Sequence, residues 1–440
     1  MQRFASGSIG GRLLPLAAAA IVALGVAAAA PSAATATATH RAISGHMIPA
    51  IGAHPVIIKA GVAGQTTFSC QPIGSPVRCY SPQQLIKAYG WNSFRNRGKG
   101  ETIVIIDSFQ SPTLLQDVQL EDSTFDLPAP HLTIVAPQGL TPFDPTNGDM
   151  VGWSAEISLD VESAHAYAPA ANIVLDLAKS DQDSDILAAT KYAIDNNLGD
   201  VISQSFGEAE ACLLPNLAVE EHHLFQKAVG EGITLVASSG DNGAAQPNCT
   251  GTGLVLSAST PASDPDVTAV GGTNVFLTNG GSWTGETAWN DGFGESGGGL
   301  SSRYPTPDYQ KKLGAPSRAV PDVAYNAGVN GGILIAWGSS GDGTGLLFIF
   351  GGTSCGSPAW AALAAVADQQ AGHRLGNLNP TLYKLGEGKS YSSDFHDITI
   401  GDNIESVGGY STAPGYDLVT GWGTPKLASL MPALAAGSGS

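Results

Sequence analysis

An α/β fold built on a doubly wound parallel sheet is what this sequence predicts, and three features lead there. Short continuous apolar runs such as Thr102-Ile-Val-Ile-Ile106 recur along the chain, and helical stretches alternate with them. Strands of that kind need cover on both faces, which helices wrapped around a parallel sheet provide. After residue 80 no internal repeat or long low-complexity linker breaks the alternation, so one large domain accounts for most of the 440 residues.

In chain order, a short helix is expected over Pro82–Tyr89, a strand over Thr102–Ile106 and a helix around Leu114–Asp122. Strands follow at Leu132–Val135, Ile173–Leu177, Val201–Ser205 and Ile233–Ser238, separated by helices over 153–168, 183–195 and 216–230. Val267–Gly272, Gly331–Trp337 and Leu346–Phe350 are later strands, and an Ala-rich helix begins near Ser357. In open α/β sheets ligands bind beyond the carboxyl ends of the strands. That rule selects Asp107, Ser205, the turn Ser238–Asp241 and Ser354.

The N-terminus carries the pattern of an export signal. Arg3 and Arg12 precede an uncharged run, Leu13–Ala30, which ends in the small residues Ala30-Pro31-Ser32-Ala33. The rival reading is a membrane anchor, because the run nears spanning length. Its alanine richness and small-residue exit favour cleavage, hence a secreted, extracellular protein with no membrane attachment afterwards. Residues 1–39 are therefore assigned to signal and linker, 40–77 to a short N-terminal extension without clear periodicity, and 78–437 to the main domain.

Lys and Arg number 20 against 38 Asp and Glu, a formal net charge of −18. Such a chain repels nucleic acid but has carboxylates to spare for cations or for work in acid. Five cysteines suit an oxidising compartment if two pairs form. Cys70 with Cys79, and Cys212 with Cys249, are the expected pairs, leaving Cys355 as a small buried apolar residue.

Ser354 sits in Gly351-Gly-Thr-Ser-Cys-Gly-Ser-Pro358, between a strand and a helix whose early turn accommodates Pro358. A helix N-terminus favours developing negative charge, which suits a nucleophile attacking a carbonyl, although a serine there is also a common plain N-cap. A nucleophilic serine needs a base within reach, and no histidine lies in a recognisable base motif; His165, late in a helix, reads better as a packed or capping residue. Glu156 and Asp160 are four residues apart with apolar flanks Trp153, Ile157, Leu159 and Val161, so a helix puts both carboxyls on one face. On a solvated face such a pair is ordinary. Partly buried, the two must share a proton and titrate together, and then they accept the serine proton in acid, where histidine is already charged. Asp241, in Ser238-Ser-Gly-Asp-Asn-Gly243, is either an ordinary turn residue or, when protonated, a hydrogen-bond donor.

Glu156 with Asp160, then Ser-Ser-Gly-Asp241, then Gly-Thr-Ser354-x-x-x-Pro358, in that order, resemble the sedolisin family of serine-carboxyl peptidases, whose fold is like subtilisin's. Pro82-Gln-Gln-Leu-Ile-Lys-Ala-Tyr89, Gly297-Gly-Gly-Leu-Ser-Ser-Arg-Tyr-Pro305 and Arg318-Ala-Val-Pro-Asp-Val323 match it too, so the likeness spans about residues 78 to 430. The resemblance implies an acid-active peptidase acting on proteins or peptides, with Ser354 as nucleophile and Glu156 as general base; a monomer is expected, although the sequence does not reveal the oligomeric state. Asp160 would orient Glu156, and Asp241 would donate to the oxyanion where neutral relatives use a side-chain amide. It also implies one structural Ca²⁺, held by Asp397, Asp417 and the carbonyls of Ile398, Ala413 and Gly415, oxygen donors of the kind a hard cation prefers. Asp107 matches the aspartate strand of subtilisins and is expected to be structural or site-adjacent. Members typically carry a large folded prodomain, whereas about forty residues separate the signal from the first match here. Two competing expectations remain. One is a secreted sedolisin-like binding protein without turnover; the other is a neutral subtilisin-like peptidase using Asp107, His165 and Ser354. Cleavage preference, and endo- against tripeptidyl action, depend on loops the motifs do not describe.

Overall fold

The computed structural model describes residues 45–49, 52–59 and 68–437; the signal-like segment assigned to 1–39 lies outside the described residues. The first described elements are strands β1 (Ile48–Pro49), β2 (Gly52–Lys59) and β3 (Cys79–Tyr80), followed by helix α1 (Pro82–Tyr89). Ser81 caps α1 in a reciprocal capping box with Gln84. The alternating region then runs β4 (Thr102–Ser108), α2 (Leu114–Phe125), β5 (His131–Val135), α3 (Gly148–Tyr167), β6 (Asn172–Ala178) and α4 (Asp183–Asp195). It continues with β7 (Val201–Gln204), β8 (Phe206–Ala209), α5 (Pro215–Gly230) and β9 (Thr234–Ser238). A short hairpin, β10 (Ala245–Pro247) and β11 (Leu254–Leu256), leads to β12 (Ser259–Thr260), β13 (Thr268–Leu277) and β14 (Trp283–Ala288). Then come β15 (Gly299–Leu300), β16 (Ala319–Val320), β17 (Val323–Asn326), β18 (Gly332–Ala336), β19 (Leu346–Gly351) and α6 (Gly356–Ala371), followed by short helices and strands up to the helix Leu427–Gly437.

The main sheet has the order β14-β13-β9-β7-β4-β6-β5, with β17 also on β13. All its pairings are parallel except β13 with β14. The chain first builds outward from β4 through β5 and β6, then switches to the other side with β7, β9 and β13. Catalytic groups gather at such a switch point because crossovers leave on opposite faces there and open a crevice. The Ala face of α6 is buried, with Ala361, Ala362, Ala364 and Ala365 at 0% exposure, so this helix lies close on the sheet as the sequence predicts. A hydrogen bond between Ser203 Oγ on β7 and Ser357 Oγ (2.8 Å) pins its first turn.

Two features depart from the simple alternation. The apolar runs ending at Trp337 and Phe350 do not enter the main sheet; β18 and β19 pair antiparallel in a separate sheet ordered β2-β19-β18-β3. The run expected to end as a strand at Ser205 breaks there, and β8 leaves the main sheet to pair with β1 and β12. Pairs Cys70–Cys79 and Cys212–Cys249 are disulfides, and Cys355 is free and buried.

Candidate active site

Helix α3 carries the two predicted carboxyls. It starts five residues earlier than the apolar pattern suggests, because the Asn147 side chain accepts from the N–H groups of Asp149 (2.9 Å) and Met150 (3.2 Å) and so offsets Gly148 and Gly152. From Trp153 to Tyr167 every residue of α3 is buried, Glu156 and Asp160 at 0% exposure. The four-residue spacing therefore places two carboxyls in the interior rather than on a wet face. Asp107 reaches the same place from the end of β4.

Ser354 stands in a 3-10 turn (Thr353–Cys355) between β19 and α6. Gly352, with φ of 107°, makes the sharp change of direction that a residue with a Cβ would resist. The Ser354 hydroxyl does not cap α6; it donates to the Ser205 carbonyl at 3.3 Å. Ser205 in turn donates its own hydroxyl to Asp160 Oδ1 at 2.8 Å. The break between β7 and β8 thus supplies one residue that touches both Ser354 and a carboxyl.

Glu156 is close enough to Ser354 for the hydroxyl to favour its charged form, yet neither of its carboxylate oxygens makes a well-aligned hydrogen bond. Burial raises Glu156 well above the ordinary carboxylate range, and the charges of Asp160, Asp107 and Asp241 raise it further. Burial pushes Asp160 up to about 8, opposed by its hydrogen bond from Ser205 and by Glu156. Asp107 is also raised well above its ordinary value, first by burial and then by Asp160, and neither of its oxygens has a partner. Three carboxyls with no cation among them cannot all ionise, so protons are shared across the group.

Asp241 lies in the turn after β9. Its Oδ1 accepts from both the N–H (2.8 Å) and the hydroxyl (2.7 Å) of Thr353, while Oδ2 is buried without a partner. Burial raises its pKa to about 7 against those two hydrogen bonds. When the group is protonated, the proton belongs on Oδ2, since Oδ1 is already taken up by two donors. The carboxyl then offers one unengaged O–H beside Thr353, the residue preceding Ser354. The motif beginning at Gly297 backs this turn: Gly297 N–H donates to Gly240 O (2.7 Å), and a Cβ at 297 would lie 2.0 Å from Ser239 O. Only glycine allows that approach.

The fold agrees with the comparisons. Residues 155–381 match the model of the Subtilase family, a stretch covering Glu156, Asp160, Asp241 and Ser354. The chain belongs to the subtilase family. This subtilase is 33% identical to kumamolisin of Bacillus sp. (strain MN-32) over 385 residues, 83% of the chain and 66% of kumamolisin. It is 34% identical to sedolisin of Pseudomonas sp. (strain 101) over 254 residues, 55% of the chain and 42% of sedolisin. It therefore spans less than two thirds of either relative's length. The solved Pseudomonas sedolisin, a serine-carboxyl proteinase complexed with two molecules of pseudo-iodotyrostatin, superposes with a TM-score of 0.73 at 27% identity. That superposition covers 82% of this chain and 99% of the solved one. The subtilase is thus of sedolisin type, as its ordered motifs imply.

Other expected residues fall into place differently. His165 Nε2 is engaged by Asp122 Oδ1 (3.0 Å) and the Pro128 carbonyl (2.7 Å), so its ring serves packing between α2 and α3. Arg318 and Asp322, from a matching motif, form a fully buried two-pronged ion pair (2.6 Å each) that also accepts from the Ala269 N–H. At the C-terminal loop, Gly415 N–H donates to Asp397 (3.1 Å), and Ala413 N–H donates to Asp417 Oδ2 (3.0 Å). Val419 and Thr420 N–H groups fix Asp417 Oδ1 at 2.9 and 2.8 Å. Asp397, Ala413, Gly415 and Asp417 are thereby drawn together, two carboxylates among carbonyl-bearing loop residues, a donor set that fits a hard cation. Thr353, whose N–H and hydroxyl both hold Asp241 Oδ1, is the site-lining residue that no sequence pattern singled out. Its only signal in the sequence is adjacency to Ser354.

Proposed function

We propose that this protein is an acid-active serine-carboxyl endopeptidase, secreted after signal cleavage, that hydrolyses peptide bonds of proteins through an acyl-enzyme on Ser354. The observation that carries the reading is the unpartnered Oδ2 of Asp241 beside Thr353, together with the buried carboxyl of Glu156 near Ser354 and that of Asp160 held by Ser205. When Asp160 holds the shared proton, Glu156 presents the charge to Ser354 and takes the hydroxyl proton as Oγ attacks the substrate carbonyl. The developing oxyanion is met by the Oδ2–H of Asp241 and by the N-terminal end of α6. Glu156 then returns its proton to the leaving amine, and water repeats the sequence in reverse to release the acid. Asp160 acts as a positioning residue, held by the Ser205 hydroxyl. Asp397, Asp417 and the carbonyls of Ile398, Ala413 and Gly415 would hold one Ca²⁺, which when bound neutralises the paired carboxylates and fixes the C-terminal loop.

A pH–rate profile on a mixed peptide library, with cuts mapped by mass spectrometry, tests the reading. Hydrolysis peaking in acid and lost in Ser354→Ala and Glu156→Gln is expected. Acid hydrolysis at wild-type rate in both variants refutes it. A profile peaking above neutral and abolished by His165→Ala would instead support a histidine-based triad, against which stands the engagement of His165 by Asp122 and Pro128.

A further inference from the structure

Three hydrogen bonds tie the turn that carries Asp241 to the turn that carries Ser354, and they run in one direction. The Gly240 N–H donates to Thr353 Oγ1 at 3.1 Å, and Thr353 Oγ1 donates to Asp241 Oδ1 at 2.7 Å. The Thr353 N–H reaches the same oxygen at 2.8 Å. A hydroxyl has one hydrogen to give, and an amide N–H pointing into Oγ1 turns that hydrogen onto Asp241. The reverse arrangement, with Oδ1 protonated and donating to Oγ1, would strand the Thr353 hydrogen in a residue at 0% exposure. Both turns are held in place. Gly240 adopts a φ of 105°, and a Cβ there would lie 2.5 Å from Gln246 Nε2. The Ser239 N–H donates to Val270 O (3.0 Å) and its hydroxyl to Gly297 O (2.7 Å), while the Gly352 N–H donates to Ala327 O (2.7 Å). The Gly240 N–H therefore keeps its aim.

The groups whose charges couple to Asp241 are all acidic. Glu156 on α3, Cys355 just before α6 and Asp291 in the loop after β14 each interact with it by repulsion. Glu295 meets Asp241 through its backbone, its N–H donating to Asp241 O at 3.0 Å. Burial favours the protonated carboxyl, and the two bonds from Thr353 oppose it. Thr353 thus bears on where the proton sits and on how long it stays as pH rises.

We infer that Thr353 is a positioning residue for the reaction, its hydroxyl aligned by Gly240 so that the Asp241 proton is kept off Oδ1 and held on Oδ2 for the oxyanion; the inference rests on the peptidase reading for its kinetic consequence alone. Thr353→Val keeps the size of the side chain and the backbone N–H but removes the hydroxyl donor, and Thr353→Ala removes it without the branched methyls. In both, kcat in acid is expected to fall by on the order of tenfold, because the carboxyl then carries its proton on either oxygen. KM should stay constant, since Thr353 is fully buried. The alkaline limb of kcat/KM should at the same time move up by about one pH unit, because a carboxylate that has lost one of two donors ionises later. Thr353→Ser, which restores the hydroxyl, should recover both values. In Asp241→Asn, which has no proton to lose there, Thr353→Val should move no limb. A second readout needs no turnover. In the full-length Ser354→Ala background, the infrared difference between acid and alkaline pH, less that of the chain also carrying Asp241→Asn, isolates the C=O stretch of protonated Asp241. A carbonyl that accepts two hydrogen bonds absorbs at lower frequency than one that accepts a single bond, so the band should rise in Thr353→Val and return in Thr353→Ser. An unchanged band overturns the inference, as does a fall in kcat with the limb unmoved. A risen band in a chain without hydrolysis in any form upholds the placement of the proton and refutes the peptidase reading instead.

Discussion

Replacing Asp241 by Asn separates a proton-dependent oxyanion donor from a merely structural turn residue. In the native chain Oδ1 is held by the N–H and hydroxyl of Thr353, and the asparagine carbonyl preserves both bonds. The amide nitrogen then takes the place of Oδ2, the atom without a partner, and donates at every pH. The native carboxyl, with its pKa raised to about 7 by burial, donates fully below that value and loses its proton above it. One pH unit above the pKa only about a tenth of the sites still carry the proton, and the acquired charge repels the oxyanion, so kcat/KM falls roughly tenfold per unit. Asp241→Asn should therefore keep activity in acid within about tenfold of wild type and shift its alkaline limb upward. Asp241→Ala, with no donor, should lose about 10²- to 10³-fold at all pH values. The assay is kcat/KM on a fluorogenic peptide from acid to weakly alkaline pH, with folding checked by circular dichroism. An alkaline limb at the same pH in Asn and wild type, or an Ala variant as active as wild type, refutes the reasoning.

Ser354→Ala should remove acyl-enzyme formation and lower turnover by on the order of 10⁴-fold or more, read by loss of the pre-steady-state burst; a persisting burst would name another nucleophile. Stability should be greatest in acid. Burial raises Asp160, Glu221 and Asp368 to about 8, Asp176 to about 7 and Glu208 to about 9, so the folded state binds their protons more tightly than the unfolded chain. That contribution is complete below the unfolded carboxylate range near about 4 and is lost as pH rises through the folded values, so Tm of Ser354→Ala should fall by about 5 °C or more from pH ~4 to pH ~8. A Tm that is flat or rises over that interval contradicts it. Chelation at near-neutral pH, or Asp417→Asn, should lower Tm and expose the C-terminal loop to added protease, with excess Ca²⁺ restoring the wild type alone; insensitivity to chelator would remove calcium from the picture. Replacing Cys212 and Cys249 by serine frees a loop of sequence separation 37 and should cost about 3–4 kcal/mol in urea unfolding, measured on the Ser354→Ala background.

The sequence by itself carried the sheet and the catalytic candidates. Parallel strands are buried on both faces and write themselves as unbroken apolar runs, which is why β4, β6, β7 and β9 were legible with their helices. Glu156 and Asp160 were legible because a helix has a fixed period, and Asp241 and Ser354 because each follows a strand at a glycine turn. Non-local pairing was not legible. Runs 332–336 and 346–351 are as apolar as the sheet strands, yet pair with each other and with β2, because a buried run looks the same in either kind of sheet. The break at Ser205, which lets one residue touch both Ser354 and Asp160, appears in no local pattern. Only the tertiary structure decided which oxygen of Asp241 is free, since that depends on Thr353 arriving from 112 positions away in sequence. Periodicity assigns a residue to a face; which atoms remain unpaired there is set by the partners that the packed chain brings against it.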